Sequence, residues 1–305
     1  MTSDKHEYSY WVKLASMMAI ISAITLIAIK VYAWIETGST SLLASLTDSL
    51  LDVAASLINF FVIRYSLQPA DDEHRFGHGK AESLAGLAQS AFIAGSSLLL
   101  LFHSADRIMN PEPVQALPVG MLVTLASIGI TIGLVIFQSI VVRKTGSVAI
   151  KADSLHYRGD ILLNLAVLAA LWLSSRGFIY ADGIIAILVA IYLMMGAFDI
   201  AKESAQHLMD RELSSEEQQQ IVDLVMSHEA VYGVHELRTR RAGSTKFIQL
   251  HIEMDDDLTL LDAHHVADEV ETMLRQHCGL IDVLIHQDPR SIVGKEHKVN
   301  DPERL

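Results

Sequence analysis

The sequence predicts an α-helical membrane protein with six transmembrane helices, followed by a C-terminal α+β domain. Three observations carry this reading. Hydrophobic side chains make up 51% of the 305 residues and the mean hydropathy is +0.33, too apolar for one ordinary soluble domain. The apolar residues come in long runs, and about 20 of them suffice to span a hydrocarbon core. From Met209 onward the character changes: 20 Asp and Glu stand against 10 Lys and Arg, so most of the formal charge of −13 lies in this last third. The expected division is a six-helix transmembrane domain over 1–208, an acidic α+β domain over 209–290, and a polar, disordered tail over 291–305.

Six runs are long enough to span: Trp11 to Ile35, Ser41 to Ile63, Leu84 to Ile108, Leu117 to Val142, Val148 to Ser174 and Phe178 to Ile200. The first is too long for a secretory signal and lacks a small-residue cleavage site. Tyr10 with Trp11, and Tyr32 with Trp34, flank it as interfacial aromatics do. An even number of spans puts both termini on one side. Lys5, Lys13, Arg64, Arg75, Lys80, Arg143, Lys144, Lys151 and Lys202 fall on that side, against Arg107 and Arg176 on the other. Basic residues collect in cytoplasmic loops, so both termini are expected in the cytoplasm.

In the acidic domain, "SSEEQQQIVDLVMSH" opens with Ser214 as a helix cap and acids in the first turn. "GVHELRTRRAG" and "STKFIQLHIEMDDD" read as strands meeting at a Gly243-Ser244 turn. "TLLDAHHVADEVETMLRQH" has helical periodicity, and "IDVLIHQDP" reads as a last strand ended by Pro289. Cys278 is the only cysteine, which excludes an intrachain disulfide and any multi-cysteine metal site.

Four groups of residues carry chemistry. In the second run, Asp48 and Asp52 lie four residues apart, and an acid at the centre of a membrane helix costs about 2.5–3.5 kcal/mol on insertion scales. In the fifth, His156 and Asp160 have the same spacing, which puts each pair on one helix face. At 1.5 Å per residue, Asp48 and Asp52 lie roughly 10 and 16 Å into their antiparallel span, and His156 and Asp160 roughly 12 and 18 Å into theirs. Three carboxylates and an imidazole at one depth suit a divalent cation. The competing reading is that the pairs serve separate polar helix contacts or line a water pocket.

The connection "QPADDEHRFGHGKAE" offers Asp71, His74 and His78 within a loop bent at Gly77 and Gly79, either as a surface metal site or as a solvated loop with incidental histidines. In the tail, His251 lies on the polar face of its strand, and His286 and Asp288 share a face of theirs. His235 and the helical His264 approach from neighbouring elements. Among weaker signals, Lys30 is expected to snorkel toward the outer interface near Trp34, and Gly129 and Gly133 have the spacing of a close helix contact. No HExxH or GxxxxGK[ST] is present, which speaks against a zinc hydrolase and an ATP-driven pump. A membrane metal sensor stays as the alternative to a transporter.

The segments "SLTDSLLDVAASL", "SLQPADDEHRFGHGKAESLAGLAQS", "KADSLHYRGDILLN", "LRTRRAGSTKFIQLHIEMDDDLTL" and "DVLIHQDP" together resemble the cation diffusion facilitator family over nearly the whole chain. The resemblance implies a homodimeric metal/proton antiporter of a bacterial inner membrane, exporting zinc, and also cadmium or ferrous iron, with a metallochaperone-like cytoplasmic domain. It is a secondary transporter and not an enzyme. Its partners are divalent cations, protons, the bilayer and a second copy, with no nucleic acid and no organic cofactor; zinc is both substrate and structural or regulatory ion. By position, Asp48, Asp52, His156 and Asp160 match the family's transport site, and Asp71, His74 and His78 its loop site. His235, His251, His264, His286, Asp288 and the backbone of Gln287 match its binuclear cytoplasmic site, and Lys80 and Asp210 a charged interlock between subunits.

Overall fold

The fold of the membrane region follows from helix length. In the computed structural model, residues 2–37, 40–110, 118–174, 176–178 and 180–296 are described. Six helices precede the acidic domain: α1 Thr2–Thr37, α2 Thr40–Ser66, α3 Lys80–Met109, α4 Pro118–Thr145, α5 Val148–Ser174 and α6 Ala181–Leu208. The shortest have 27 residues, about 40 Å at 1.5 Å per residue and longer than a hydrocarbon core of about 30 Å. All six contain a stretch apolar enough to span, so the chain is a multi-pass membrane protein.

α5 holds this unit together. Val148, Ala152 and Leu155 pack with Ile93 of α3 and with Val189, Leu193, Ala197 and Ile200 of α6. Its neighbouring residues Ala149 and Ile150 pack the opposite way, against Val12 and Ala15 of α1, Ile63 of α2 and Val141 of α4. One helix can serve two cores because Val148, Ala152 and Leu155 lie on one side of its first turns and Ala149 and Ile150 on the other. Polar groups fasten it as well: the buried Gln138 amide of α4 donates to the Asp153 carboxylate at 2.6 Å.

Close helix approach is set by glycine, at positions other than the expected ones. A Cβ on Gly86 of α3 would stand 2.6 Å from Ser204 Oγ and 2.9 Å from Val148 Cγ1, and one on Gly196 of α6 would stand 2.8 Å from Leu155 Cδ2. Gly129 and Gly133, expected at a close contact, have nothing within 4 Å of such a carbon. Spacing alone fails there because it names a face of α4 without saying what lies against it.

The C-terminal domain contains α7 Ser215–Met226, β1 Gly233–Ala242, β2 Thr245–Met254, α8 Leu260–Cys278, β3 Ile281–Pro289 and α9 Arg290–Glu296. Ser214 caps α7 through a full capping box with Glu217. β1 and β2 form an antiparallel hairpin through Gly243, at φ 58°, and β3 joins β2 in parallel after crossing over through α8. Ile248, Leu250, Ile252 and Met254 on one face of β2 pack against Ile221 and Val225 of α7 and Val270 and Leu274 of α8. Residues 291–296, expected to be disordered, form most of α9 instead. Val293 is buried, and Ser291 N–H donates to Asp256 Oδ1 at 2.9 Å. Residues 297–305 of that expected tail lie outside the described residues.

Replacing Gly86 by Val forces branched carbons into space held by Val148 and Ser204. Overpacking of this kind costs about 1–3 kcal/mol. The variant is expected to melt several degrees lower than the wild type in the same detergent, whereas Gly129→Val is expected to melt within a degree or two of it.

Candidate functional site

Asp52 lies midway along α2, and His156 and Asp160 lie one turn apart on α5. The antiparallel α2 and α5 put them at a common depth. His156 Nε2 stands 3.1 Å from Asp52 Oδ1 and 4.0 Å from Asp160 Oδ2. One ligand atom from each of the three lies within 4.8 Å of the others. A single ring nitrogen thus faces both carboxylates, so one proton or one metal cation would sit in the same place between them. The backbone of Asp48 continues this face one turn earlier on α2; its side chain lies outside the described residues.

The surroundings fix that geometry. Tyr157, buried beside His156, shares a 2.8 Å hydrogen bond with Ser56 Oγ, one turn beyond Asp52 on α2. The two helices are therefore tied next to the Asp52–His156 contact. Asn164 Nδ2 donates to the Asp160 carbonyl at 2.8 Å, and the edge of Phe92 from α3 approaches the His156 ring at 6.1 Å between centroids. Sequence reasoning missed Ser56, although it extends the every-fourth-residue polar stripe of Asp48 and Asp52. Lys30 corrects another expectation: its ammonium crosses to α2 rather than snorkelling outward, donating to Ser49 Oγ at 2.6 Å and Ser45 O at 3.3 Å. A lysine among apolar helices takes the nearest acceptors when these lie closer than the interface.

In the α2–α3 connection the three expected residues converge. Asp71 Oδ1 accepts from the backbone N–H of His74 at 2.6 Å, and the His74 N–H in particular holds this carboxyl below the usual carboxylate range. His78 is buried at the start of α3, and its Nδ1 lies 3.2 Å from the Pro69 carbonyl, which only accepts. Nδ1 is placed to donate to that carbonyl, and Nε2 lies 3.3 Å from Asp71 Oδ2. Gly77 at φ 78° makes the bend.

The C-terminal cluster is a product of strand register. His235, His251 and His286 are direct partners across β1, β2 and β3. Asp288 joins them: Oδ2 lies 3.2 Å from His235 Nε2 and 2.8 Å from His251 Nδ1, and Oδ1 lies 3.2 Å from His286 Nε2. Glu253 Oε1 stands 3.3 Å from the other nitrogen of His235, a neighbour that sequence reasoning did not include. A bulge between His235 and Arg238, with Glu236 at φ 47°, lets β1 present both His235 and Glu236 to this face.

His264, expected in the same cluster, does not join it within one chain. α8 packs on the apolar face of the sheet, opposite the histidine row, and His264 is exposed beside Asp268 at 3.5 Å. Gln287 pairs in register with Ile252, one residue from the row. Of the expected interlock, Lys80 opens α3, and Asp210 Oδ1 accepts from Arg240 Nη1 at 3.3 Å within the C-terminal domain.

These sites coincide with two family matches. The family model described as the cation efflux transmembrane domain matches residues 16–209, and the one described as the cation efflux protein, cytoplasmic domain, matches residues 213–290. The cation-efflux pump FieF of Yersinia pestis (strain Pestoides F) is 53% identical over 290 residues, covering 95% of this chain and 97% of that protein. FieF of Yersinia pseudotuberculosis serotype O:3 (strain YPIII) matches with the same identity and coverage. A solved structure of CzrB in its zinc form, described as a candidate zinc transporter, is 32% identical over 27% of this chain and 94% of its own, with a TM-score of 0.26. With both domains matched and more than half of the residues shared with these pumps, the chain belongs to the cation diffusion facilitator family and is a cation efflux transporter, not an enzyme.

Proposed function

We propose that this transporter exports zinc, with cadmium and ferrous iron as further substrates, from the cytoplasm in exchange for protons. The reading is carried by one observation, the single His156 Nε2 facing the carboxylates of Asp52 and Asp160 inside the membrane helices. Oxygen and imidazole ligands suit zinc and related divalent ions, and Asp48 on the same helix face completes a four-ligand set that leaves no catalytic water position. Ligands bind metal only when deprotonated, so protons and cation compete for the site by mass action. Protons arriving from a more acidic exterior would displace the cation outward and return the site empty.

The basic residues at the ends of α2, α4 and α6 support a bacterial inner-membrane orientation with both termini cytoplasmic, and the division at 208/209 assigns transport to the first part and regulation to the second. The loop site of Asp71, His74 and His78, and the row of His235, His251, His286 and Asp288, would hold further zinc ions that sense or stabilise. A homodimer accounts for the remaining assignments. Within one chain His264 stands apart, so its role and that of the Gln287 carbonyl rest on the second copy, as does the interlock of Lys80 with Asp210. Two acidic domains brought together repel, and bound divalent cations would relieve that repulsion.

In proteoliposomes, Asp52→Ala and His156→Ala are each expected to reduce zinc flux at least about a hundredfold while calorimetry still detects metal on the C-terminal domain. Undiminished flux in either variant would remove the site from the transport path. With a pH-sensitive dye inside the vesicles, zinc uptake is expected to drive protons outward, and cation uptake with no change in internal pH would refute exchange. His251→Ala combined with His286→Ala in the full chain is expected to lower the number of bound zinc ions and to abolish most of the zinc-induced rise in melting temperature, with the membrane site still filled. An unchanged rise would show that the row holds no stabilising metal.

A further inference from the structure

A cavity of about 500 Å³ opens between α4, α5 and α6, at the end where α4 and α6 finish and α5 begins. Its polar lining is cationic. Arg143 comes from the last turn of α4, and Lys151 and Arg158 from α5, against one carboxylate, Asp199 of α6. Lys151 is neutralised by Glu203. Arg143 and Arg158 form no ion pair among the described residues; Arg158 donates only to Ser139 Oγ, at 3.1 Å. Deeper in the same cavity Ser154, 2% exposed, has a hydroxyl with no hydrogen-bond partner. A buried hydroxyl left unpaired is destabilising, and a ligand oxygen would satisfy it.

Cationic walls repel a divalent metal, so this cavity does not suit the passage of the transported ion. They suit an anion with several oxygens, since arginine matches phosphate geometry with paired donors. The rim decides where such an anion comes from. Met195 and Tyr192 of α6 line the opening and are exposed, and Ile140 and Ile136 of α4 are exposed one and two turns from Arg143. In a membrane protein these side chains face acyl chains. Arg158, about 15 Å along α5 from its first residue, reaches Ser139, itself on the penultimate turn of α4. Arg143 and Lys151 thus place positive charge near the end of the helices, at the depth of lipid headgroups and beside an apolar surface, and the Arg158 guanidinium joins them from deeper, at the level of Ser139.

We propose that this cavity is a binding site for the phosphodiester headgroup of an anionic phospholipid, with Arg143 and Arg158 holding the phosphate, Ser154 donating its hydroxyl, and the acyl chains lying along α4 and α6. Basic pockets between transmembrane helices are suited to such headgroups. The site is separate from the metal clusters and does not depend on the transported ion.

Native mass spectrometry of the full chain, released from neutral detergent after titration with phosphatidylglycerol or phosphatidylcholine, tests the assignment. The wild type is expected to retain one phosphatidylglycerol per protomer at least about tenfold more readily than phosphatidylcholine, and millimolar inorganic phosphate is expected not to displace it. Arg143→Gln with Arg158→Gln should abolish this preference, whereas Arg64→Gln, which removes a basic residue of α2 outside the cavity, should keep it. Equal retention of the two lipids by the wild type would overturn the proposal without recourse to any variant. So would a preference surviving in the double variant or lost in Arg64→Gln. Displacement by inorganic phosphate would overturn the lipid assignment in favour of a soluble anion.

Discussion

Charged groups inside an apolar bundle must find each other, and in this protein that requirement ties α2 to α5. Asp52 and His156 lie 3.1 Å apart, with the Asp160 carboxylate 4.0 Å from the same nitrogen. A carboxylate in hydrocarbon with no partner is strongly unfavourable, so the register of the two helices is constrained by where these side chains fall. The Ser56–Tyr157 hydrogen bond repeats the constraint one turn away, and Gln138 with Asp153 fixes α5 against α4. The pairing that offsets the burial of charge also leaves one place among the three side chains that a proton or a cation could fill.

α5 bears the consequence. It must carry the polar pair and still pack on α1, α2 and α4 on one side and on α3 and α6 on the other. Small residues make that compatible with close contact: Gly86 and Gly196 leave room for Val148 and Leu155. In membranes, helix association relies on packing and hydrogen bonds more than on the hydrophobic effect, so steric fit at such positions carries much of the specificity.

The C-terminal domain solves a different problem with strand register. Its apolar face is covered by α7 and α8, which leaves the opposite face of β1, β2 and β3 for polar chemistry. Because side chains alternate along a strand, in-register pairing of His235, His251 and His286 stacks three imidazoles in one row, and Asp288 bridges them with both oxygens. Burial pushes the Cys278 thiol up, toward the protonated form that binds metal poorly.

Much of this was legible from the sequence. Six apolar runs of about 20 residues or more dictated six helices, because a helix satisfies its backbone groups within one segment in hydrocarbon. The fourfold spacing of Asp48 with Asp52 and of His156 with Asp160 named two helix faces and one depth. Ser214, Gly243 and the alternation around His251 marked a cap, a turn and a polar strand face, since these signals are local. Tertiary structure decided what met across elements. It set His264 apart from the histidine row, brought Glu253 to His235, turned Lys30 toward Ser49, left Gly129 and Gly133 without a close neighbour, and gathered Arg143, Arg158 and Ser154 around one cavity. Periodicity fixes the direction of a side chain relative to its own helix or strand, whereas its partner depends on how separate elements pack, and that is settled by steric fit and charge pairing over the whole fold.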